Sequence, residues 1–263
     1  MLRKVLRKLL PARLRRLLRE MQRRRWADYN RIHARQAKSY CDVSGRRVLV
    51  VGCNRGGDCR YFVHFGAAEV HGIDVIAGVG AGFHHRRVRY HRCSAEAMPF
   101  AAGYFDLVYS VATMEHVPDI ERAFSEMARV TAPGGFIYCL AAPLWNSRFG
   151  HHKSDIFPDA PWIHLRMSKA EILQYARERG IEPPGGADHH VSYMLNDAFF
   201  NKVPARHYVG ICASLPGMTA IRNSLDLESP EVLPAEIEDE LGRRGYDRNE
   251  LLAVAHTYVA RKA

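Results

Sequence analysis

Arg47-Val48-Leu49-Val50-Val51-Gly52-Cys53-Asn54-Arg55-Gly56-Gly57-Asp58-Cys59 is the stretch whose reading decides the fold. The apolar, β-branched run from Val48 to Val51 breaks at Gly52 into a short glycine-bearing loop, and Tyr61 to Phe65 follows with helical character. A strand buried on both faces reads as a continuous apolar run, and glycines after it let the backbone approach a ligand closely. Strand, glycine turn and helix make the first unit of a nucleotide-binding α/β sheet. The pattern G-x-N-x-G-G is weak when taken alone, so the neighbouring segments have to decide.

Cys41 to Arg47 is a polar, turn-forming lead-in, and a helix is expected over about 57–66. Glu69 to Val75 then reads as a second strand with Asp74 at its end, 22 residues after Gly52. A carboxylate near this offset can accept both hydroxyls of a ribose. The competing reading is an aspartate that only caps the next turn. Val88–His91 and Tyr104–Ser110 read as strands three and four. Asp119 is placed to N-cap a helix running to about residue 131, Ala132-Pro133-Gly134-Gly135 ends it, and Phe136–Leu140 is a fifth strand. Alternating strands and helices imply an α/β, doubly wound and mostly parallel sheet.

Val48–Gly57, Asp74, Ala95-Glu96-Ala97-Met98-Pro99-Phe100, Phe105-Asp106-Leu107-Val108, Glu115-His116-Val117-Pro118-Asp119 and Pro133-Gly134-Gly135 follow one another in order. Together they resemble the class I S-adenosylmethionine-dependent methyltransferases, in particular the small-molecule, ubiquinone-biosynthesis-like group. The resemblance covers roughly residues 45–142. It implies a Rossmann-like sheet of seven strands with the last reversed, and S-adenosylmethionine as cofactor. It also implies that Gly52, Cys53, Asn54 and Gly56 run under the methionine part, that Asp74 holds the ribose, that Ala95 and Glu96 lie beside the adenine, and that Ser110 and Val111 face the cofactor. Val50, Asn54 and Ser94 stand where the family usually has an acid, a glycine and an aspartate.

Residues 143–234 are too long for one helix–strand unit and are rich in His, Trp and Pro near their start. They follow strand five at the edge where open α/β sheets bind ligands, as an acceptor-side insertion or lid would. Within them Ser168 to Arg179 reads as a helix with a Ser168–Glu171 capping box. Residues 189–215 are ambiguous between strand and helix. Ala235–Arg244 reads as a helix and Leu251–Ala260 as the closing strand. His116, His152 and His164 are candidate general bases for a hydroxyl acceptor, since imidazole titrates near neutrality; the competing reading is hydrogen bonding within loops. His151, His152 and His164 lack close ligand spacing and have no acidic cluster beside them, so no metal is expected. Methyl transfer to oxygen needs in-line approach and loss of one proton, and positioning can supply much of the rate.

The net charge of +10 is unevenly placed. Residues 1–38 hold 14 Lys and Arg against Glu20 and Asp28, which is +12, leaving the other 225 residues at 24 − 26 = −2. The division is therefore an arm over 1–38 and a methyltransferase-like domain over 39–263. Within residues 1–25, leucines recur at spacings of three and four among arginines, with Pro11 interrupting: a basic amphipathic helix. Such a helix suits an anionic membrane surface, though it could equally pack on its own domain or on a second copy in a homodimer. A near-neutral domain argues against a nucleic-acid partner. The six cysteines form no C-x-x-C pair and read as reduced thiols of a cytoplasmic protein, peripheral to the membrane through the arm. The resemblance thus implies O-methylation of a small molecule or of a glycan- or lipid-linked intermediate. Alternatives are an RNA methyltransferase and an inactive, methyltransferase-like scaffold. Membrane contact predicts that the full chain sediments with anionic liposomes and that deleting residues 1–25 abolishes this; equal sedimentation of both would remove it.

Overall fold

Val48 and Val50 face one side of the first strand and Leu49 and Val51 the other, and all four are buried. Both faces of the strand must therefore be covered, and the rest of the chain does so. The computed structural model describes residues 29–263. The amphipathic segment over 1–25 lies outside the described residues. The helix over 29–40 (α1) buries Ala34 and Ala37 completely against the sheet. Residues 29–38, grouped with the arm on charge, thus pack as part of the fold.

Seven strands form one sheet in the order β3-β2-β1-β4-β5-β7-β6. They are β1 (Arg47–Val51), β2 (Glu69–Asp74), β3 (Val88–Arg92), β4 (Phe105–Val111), β5 (Thr131–Ala141), β6 (Met218–Leu227) and β7 (Ala253–Lys262). The first five pair in parallel, and β7 runs antiparallel between β5 and β6. This is the expected sheet with its last strand reversed. One face lies under α1 and α2 (Cys59–His64), with Phe62 and Tyr109 edge to face at 4.9 Å. The other lies under α3 (Ile120–Val130) and α7 (Ala205–Ala213), around Phe124, Tyr208 and Tyr258.

Local signals were obeyed closely. Asp119 caps α3 by accepting the Arg122 N–H at 2.9 Å. Ser168 and Glu171 close a capping box on α5 (Lys169–Glu178). The expected helix over 57–66 is shorter, and Ala235–Gly242 (α8) stops two residues before Arg244. The ambiguous stretch 189–215 folds as two helices, α6 (Ala187–Met194) and α7, with no strand. Leu251 and Leu252 belong to α9 (Arg248–Leu252), so the closing strand begins at Ala253. The segment 143–234 is not one insertion, because Met218–Leu227 supplies the sheet edge. Its strand pattern is mostly exposed, which hid it among polar residues. The remaining part, including a short helix α4 (Ile163–Arg166), packs in two further apolar clusters: Trp145, Trp162 and Phe200 centre one, shared with Leu241 of α8 and Leu251 of α9, and Phe157, Ile172 and Met194 the other. Among the described residues no helix is long and apolar enough to cross a membrane. The cysteines are free, and all but Cys93 are buried.

Glu250 ties this added segment to the sheet. Its buried carboxylate accepts the N–H groups of Ala205 and Arg206 at 2.8 and 3.0 Å, and the Asn146 amide at 3.3 Å. It caps α7 from a distant part of the chain. Glu250→Ala would leave these donors buried and unpaired, at a cost of about 3 kcal/mol read by urea denaturation. His256 in β7 gives a second test. Burial lowers its pKa to about 4, and its Nε2 pairs with Asn223 Oδ1 at 2.8 Å. The neutral form is favoured on folding, so the stability it contributes is complete above pH 6.5 and is lost as pH falls toward 4. His256→Gln should therefore lose about 3 kcal/mol less than the parent across that window.

Candidate functional site

Because β1, β2, β4 and β5 are parallel, their C-terminal ends share one edge. Gly52 turns the chain out of β1 with φ +73°, and the N–H groups of Gly52 and Cys53 both reach Ile73 O, at 2.9 and 3.0 Å. Asn54 holds a left-handed φ of +47°, a conformation asparagine tolerates, at the position where glycine is usual. Its N–H donates to Asp74 Oδ2 at 2.8 Å, while Asp74 Oδ1 accepts the Ile76 N–H at 3.2 Å. The loop and the acid at the end of β2 are thus one hydrogen-bonded unit. Each carboxylate oxygen keeps a free lone pair. Val75 and Ile76, beside the acid, are exposed apolar side chains.

A Cβ on Gly52 would lie 2.0 Å from Thr113 Oγ1, and one on Gly56 2.2 Å from the Tyr90 hydroxyl. Both positions need glycine. Ser110 and Val111 end β4 buried, and the Ser110 hydroxyl has no hydrogen-bond partner. Ala95 is buried in the core. Glu96 accepts the Ser94 hydroxyl at 2.9 Å and the Asp119 N–H at 2.8 Å, bracing the start of α3. Asp58, which sequence reasoning passed over, caps no helix with its side chain. It accepts the Asn30 amide from α1 at 2.7 Å, and burial raises its pKa to about 6.

The turn Met114–His116 follows β4 at the same edge. Asn201 clamps it: its amide donates to Met114 O at 2.7 Å and Val117 O at 2.9 Å, and its backbone N–H to Glu115 O at 3.1 Å. His116 Nδ1 donates to Phe199 O at 3.0 Å, leaving Nε2 as the lone-pair nitrogen. His152 sits 5.0 Å away, ring to ring, with φ +60° and its Nε2 donating to Pro143 O at 3.1 Å. Burial lowers both imidazoles, His152 to about 4, so both are neutral at pH 7. His164 is elsewhere: it is buried against Trp145 and His151, with Nε2 2.7 Å from Trp145 O. The structure brings two of the three candidate histidines together and places the third inside the added segment.

Glu115 is the other residue passed over, although it stands beside His116 in the sequence. Its side chain is buried with neither oxygen in a well-formed hydrogen bond, and burial pushes its pKa up to about 8 against the weaker opposing pull of the Glu115, Ala142 and Thr113 backbone N–H groups. Phe199 and Phe200 pack beside the two histidines, Tyr193 packs on both phenylalanine rings, and Trp145 lies tilted against Phe200 at 5.1 Å. These rings make an apolar wall next to the polar turn. A separate groove of about 770 Å³, lined by Arg46, Arg47, Arg87, Arg89, Glu69 and Asp106, lies at the N-terminal strand ends. It is at the wrong edge for this chemistry.

Residues 49–139 match the family model described as a methyltransferase domain. The chain is 35% identical over 148 residues to the fatty-acid O-methyltransferase of Mycolicibacterium smegmatis, covering 54% of this chain and 52% of that protein. It is 28% identical over 154 residues to the ubiquinone biosynthesis O-methyltransferase of Aromatoleum aromaticum, covering 53% and 65%. The matched region thus spans only about half the length of the first of these relatives. A Listeria monocytogenes protein assigned as an S-adenosylmethionine-dependent methyltransferase shares the fold with TM-score 0.52 at 14% identity, covering 88% of this chain and 98% of that one. Residues 49–139 are thus a methyltransferase domain, and the seven-stranded order is the fold shared with the Listeria protein.

Proposed function

We propose that the protein transfers a methyl group from S-adenosylmethionine to an oxygen of a largely apolar small molecule or lipid-linked intermediate. The observation that carries the reading is the shared edge. The Gly52–Asp74 unit and the Glu115–His116 turn, with its aromatic wall, open at the same strand ends. The chain's relatives include proteins named fatty-acid and tocopherol O-methyltransferases, whose acceptors are apolar.

The residues present fit the cofactor. In this reading Gly52, Cys53, Asn54 and Gly56 lie under the methionine part, and Asp74 takes the ribose hydroxyls on its free lone pairs. The exposed Val75 and Ile76 offer an apolar face to the adenine, alongside Ala95 and Glu96. Ser110 and Val111 close the floor of the site. The usual acid at position 50 is missing, and Asp58 is the half-buried carboxylate left at that loop to face an ammonium group. Bound there, the cofactor supplies an electrophilic methyl on a sulfonium. The protein's tasks are then to orient the acceptor oxygen against the aromatic wall, exclude water, and take one proton, for which His116 Nε2 is the available lone pair. His152 and His164 would hold the pocket's shape. Residues 1–25 would keep the protein, a cytoplasmic one in this reading, at the anionic surface where such acceptors partition.

A second reading, a methyltransferase-like scaffold without activity, is favoured by Val50 and by the two N–H groups already on Asp74. Calorimetry separates the two. S-adenosylmethionine and S-adenosylhomocysteine are both expected to bind the purified full chain. Asp74→Ala should weaken both by about 10²-fold, since hydrogen bonds to a charged group are worth about 1.5–3 kcal/mol each. Failure of either ligand to bind the parent would leave the scaffold. Full affinity in Asp74→Ala would move the ribose elsewhere.

A further inference from the structure

Glu115 and His116 are adjacent and His152 follows 36 residues after His116, yet one ligating atom from each falls within 4.8 Å of the other two. Glu115 Oε1 is 3.8 Å from His116 Nε2. Three features of this group need a common cause. The Glu115 carboxylate is fully buried with only the backbone N–H groups of Thr113, Glu115 and Ala142 near it, none in well-formed hydrogen-bond geometry, a placement that is costly unless a cation or a proton sits there. Each imidazole gives one N–H to a backbone carbonyl, Phe199 O or Pro143 O, which leaves His116 Nε2 and His152 Nδ1 as lone-pair nitrogens. Such carbonyl-held rings are the outer arrangement found around metal-ligating histidines. His152 is also held in the left-handed region at φ +60°, backbone strain of a kind that clusters at working sites.

We propose that Glu115, His116 and His152 bind a divalent transition-metal ion, with the remaining coordination positions open toward the aromatic wall. Two imidazoles and one carboxylate select the zinc, iron(II) or cobalt(II) class over magnesium or calcium, which prefer all-oxygen shells. Bonds of about 2.0–2.2 Å bring neighbouring ligand atoms to about 3–3.5 Å, so the group closes by on the order of 1 Å when metal enters. The ion's binding is independent of the methyl-transfer reading; its role rests on that reading. An acceptor hydroxyl taking an open position would lose its proton to solvent water more readily. The oxygen pair then forms the new O–CH₃ bond as the S–CH₃ pair stays on sulfur. With the ion bound, the His116 Nε2 lone pair is donated to it and no longer takes the proton as it would in the metal-free site; the cation instead makes the hydroxyl acidic.

Cobalt(II) titration of chelator-stripped full-length protein, followed by its visible d–d absorption and by competition with zinc, tests the assignment. One saturable site is expected. Glu115→Gln, His116→Gln and His152→Asn should each weaken it by about 10²-fold or more, since losing a ligand costs at least as much as losing an outer partner. Asparagine is chosen at 152 because it tolerates positive φ, so His152→Asn carries the test if Glu115→Gln fails to fold. Weak binding that all three variants leave unchanged would assign the signal to surface histidines and overturn the proposal, as would no binding. S-adenosylhomocysteine calorimetry in chelator is run on the same samples. Binding of that ligand without metal binding would sink the metal site alone, and the reverse result would sink only the methyl-donor reading.

Discussion

Parallel pairing of β1 with β4, from Val48 opposite Leu107 to Val51 opposite Ser110, is the constraint on which the rest depends. It puts the ends of two neighbouring strands side by side. The chain leaving β1 crosses to β2 on one side, while the chain leaving β4 crosses to β5 on the other. A crevice must open between the two departures, as it does wherever the strand order of an open α/β sheet reverses. The glycine loop lines one bank and the Met114–His116 turn the other. The clash that a Cβ on Gly52 would make with Thr113 measures how closely the banks approach. In the proposed reading, donor and acceptor sides are therefore set by one backbone register, before any side chain is chosen.

The acceptor bank is not held by the sheet alone. Asn201 and the Phe199 carbonyl fix the turn, Glu250 fixes α7 just after Asn201, and Trp162 Nε1 donates to Leu251 O at 3.2 Å. The contacts form a chain from α9 through residues 199–206 to Glu115 and His116. A substitution far from the crevice, at Glu250 or Trp162, would therefore be felt at the turn through displaced carbonyls. The donor bank has a shorter support: two N–H groups on Ile73 O and one on Asp74. Exchange of acceptor preference could proceed in the added segment without disturbing the loop.

Sequence reading succeeded where the signal was local or where burial imposed one residue type. The Val48–Val51 run, the Asp119 cap and the Ser168–Glu171 box each involve residues within a few positions, and their chemistry leaves little choice. It failed at β6, because an edge strand with a mostly exposed pattern lacks alternation strong enough to stand out. It misplaced the start of β7, because Leu251-Leu252-Ala253-Val254 is apolar throughout and periodicity cannot divide a short helix from a strand there. The site divides the same way. Asp74 and the glycines are legible by offset, whereas the meeting of His152 with Glu115 needs the fold of the whole segment after β5.

The departure at position 50 follows from the same geometry. Val50 faces the side of β1 covered by α1 and α2, within the cluster that holds Phe62 and Tyr109. A carboxylate there would need a polar partner in an apolar layer, and the chain instead places valine. The acid appears at Asp58, at the start of α2, where Asn30 from α1 can reach it. Moving the charge from strand to helix start makes its environment depend on α1, whereas an acid in β1 would depend only on the sheet. Burial raises the pKa of this carboxylate to about 6 even with the Asn30 hydrogen bond pulling it down. A cationic partner at the loop would therefore relieve its burial as well as complete the crevice, and α1, by holding Asp58, becomes part of the donor bank.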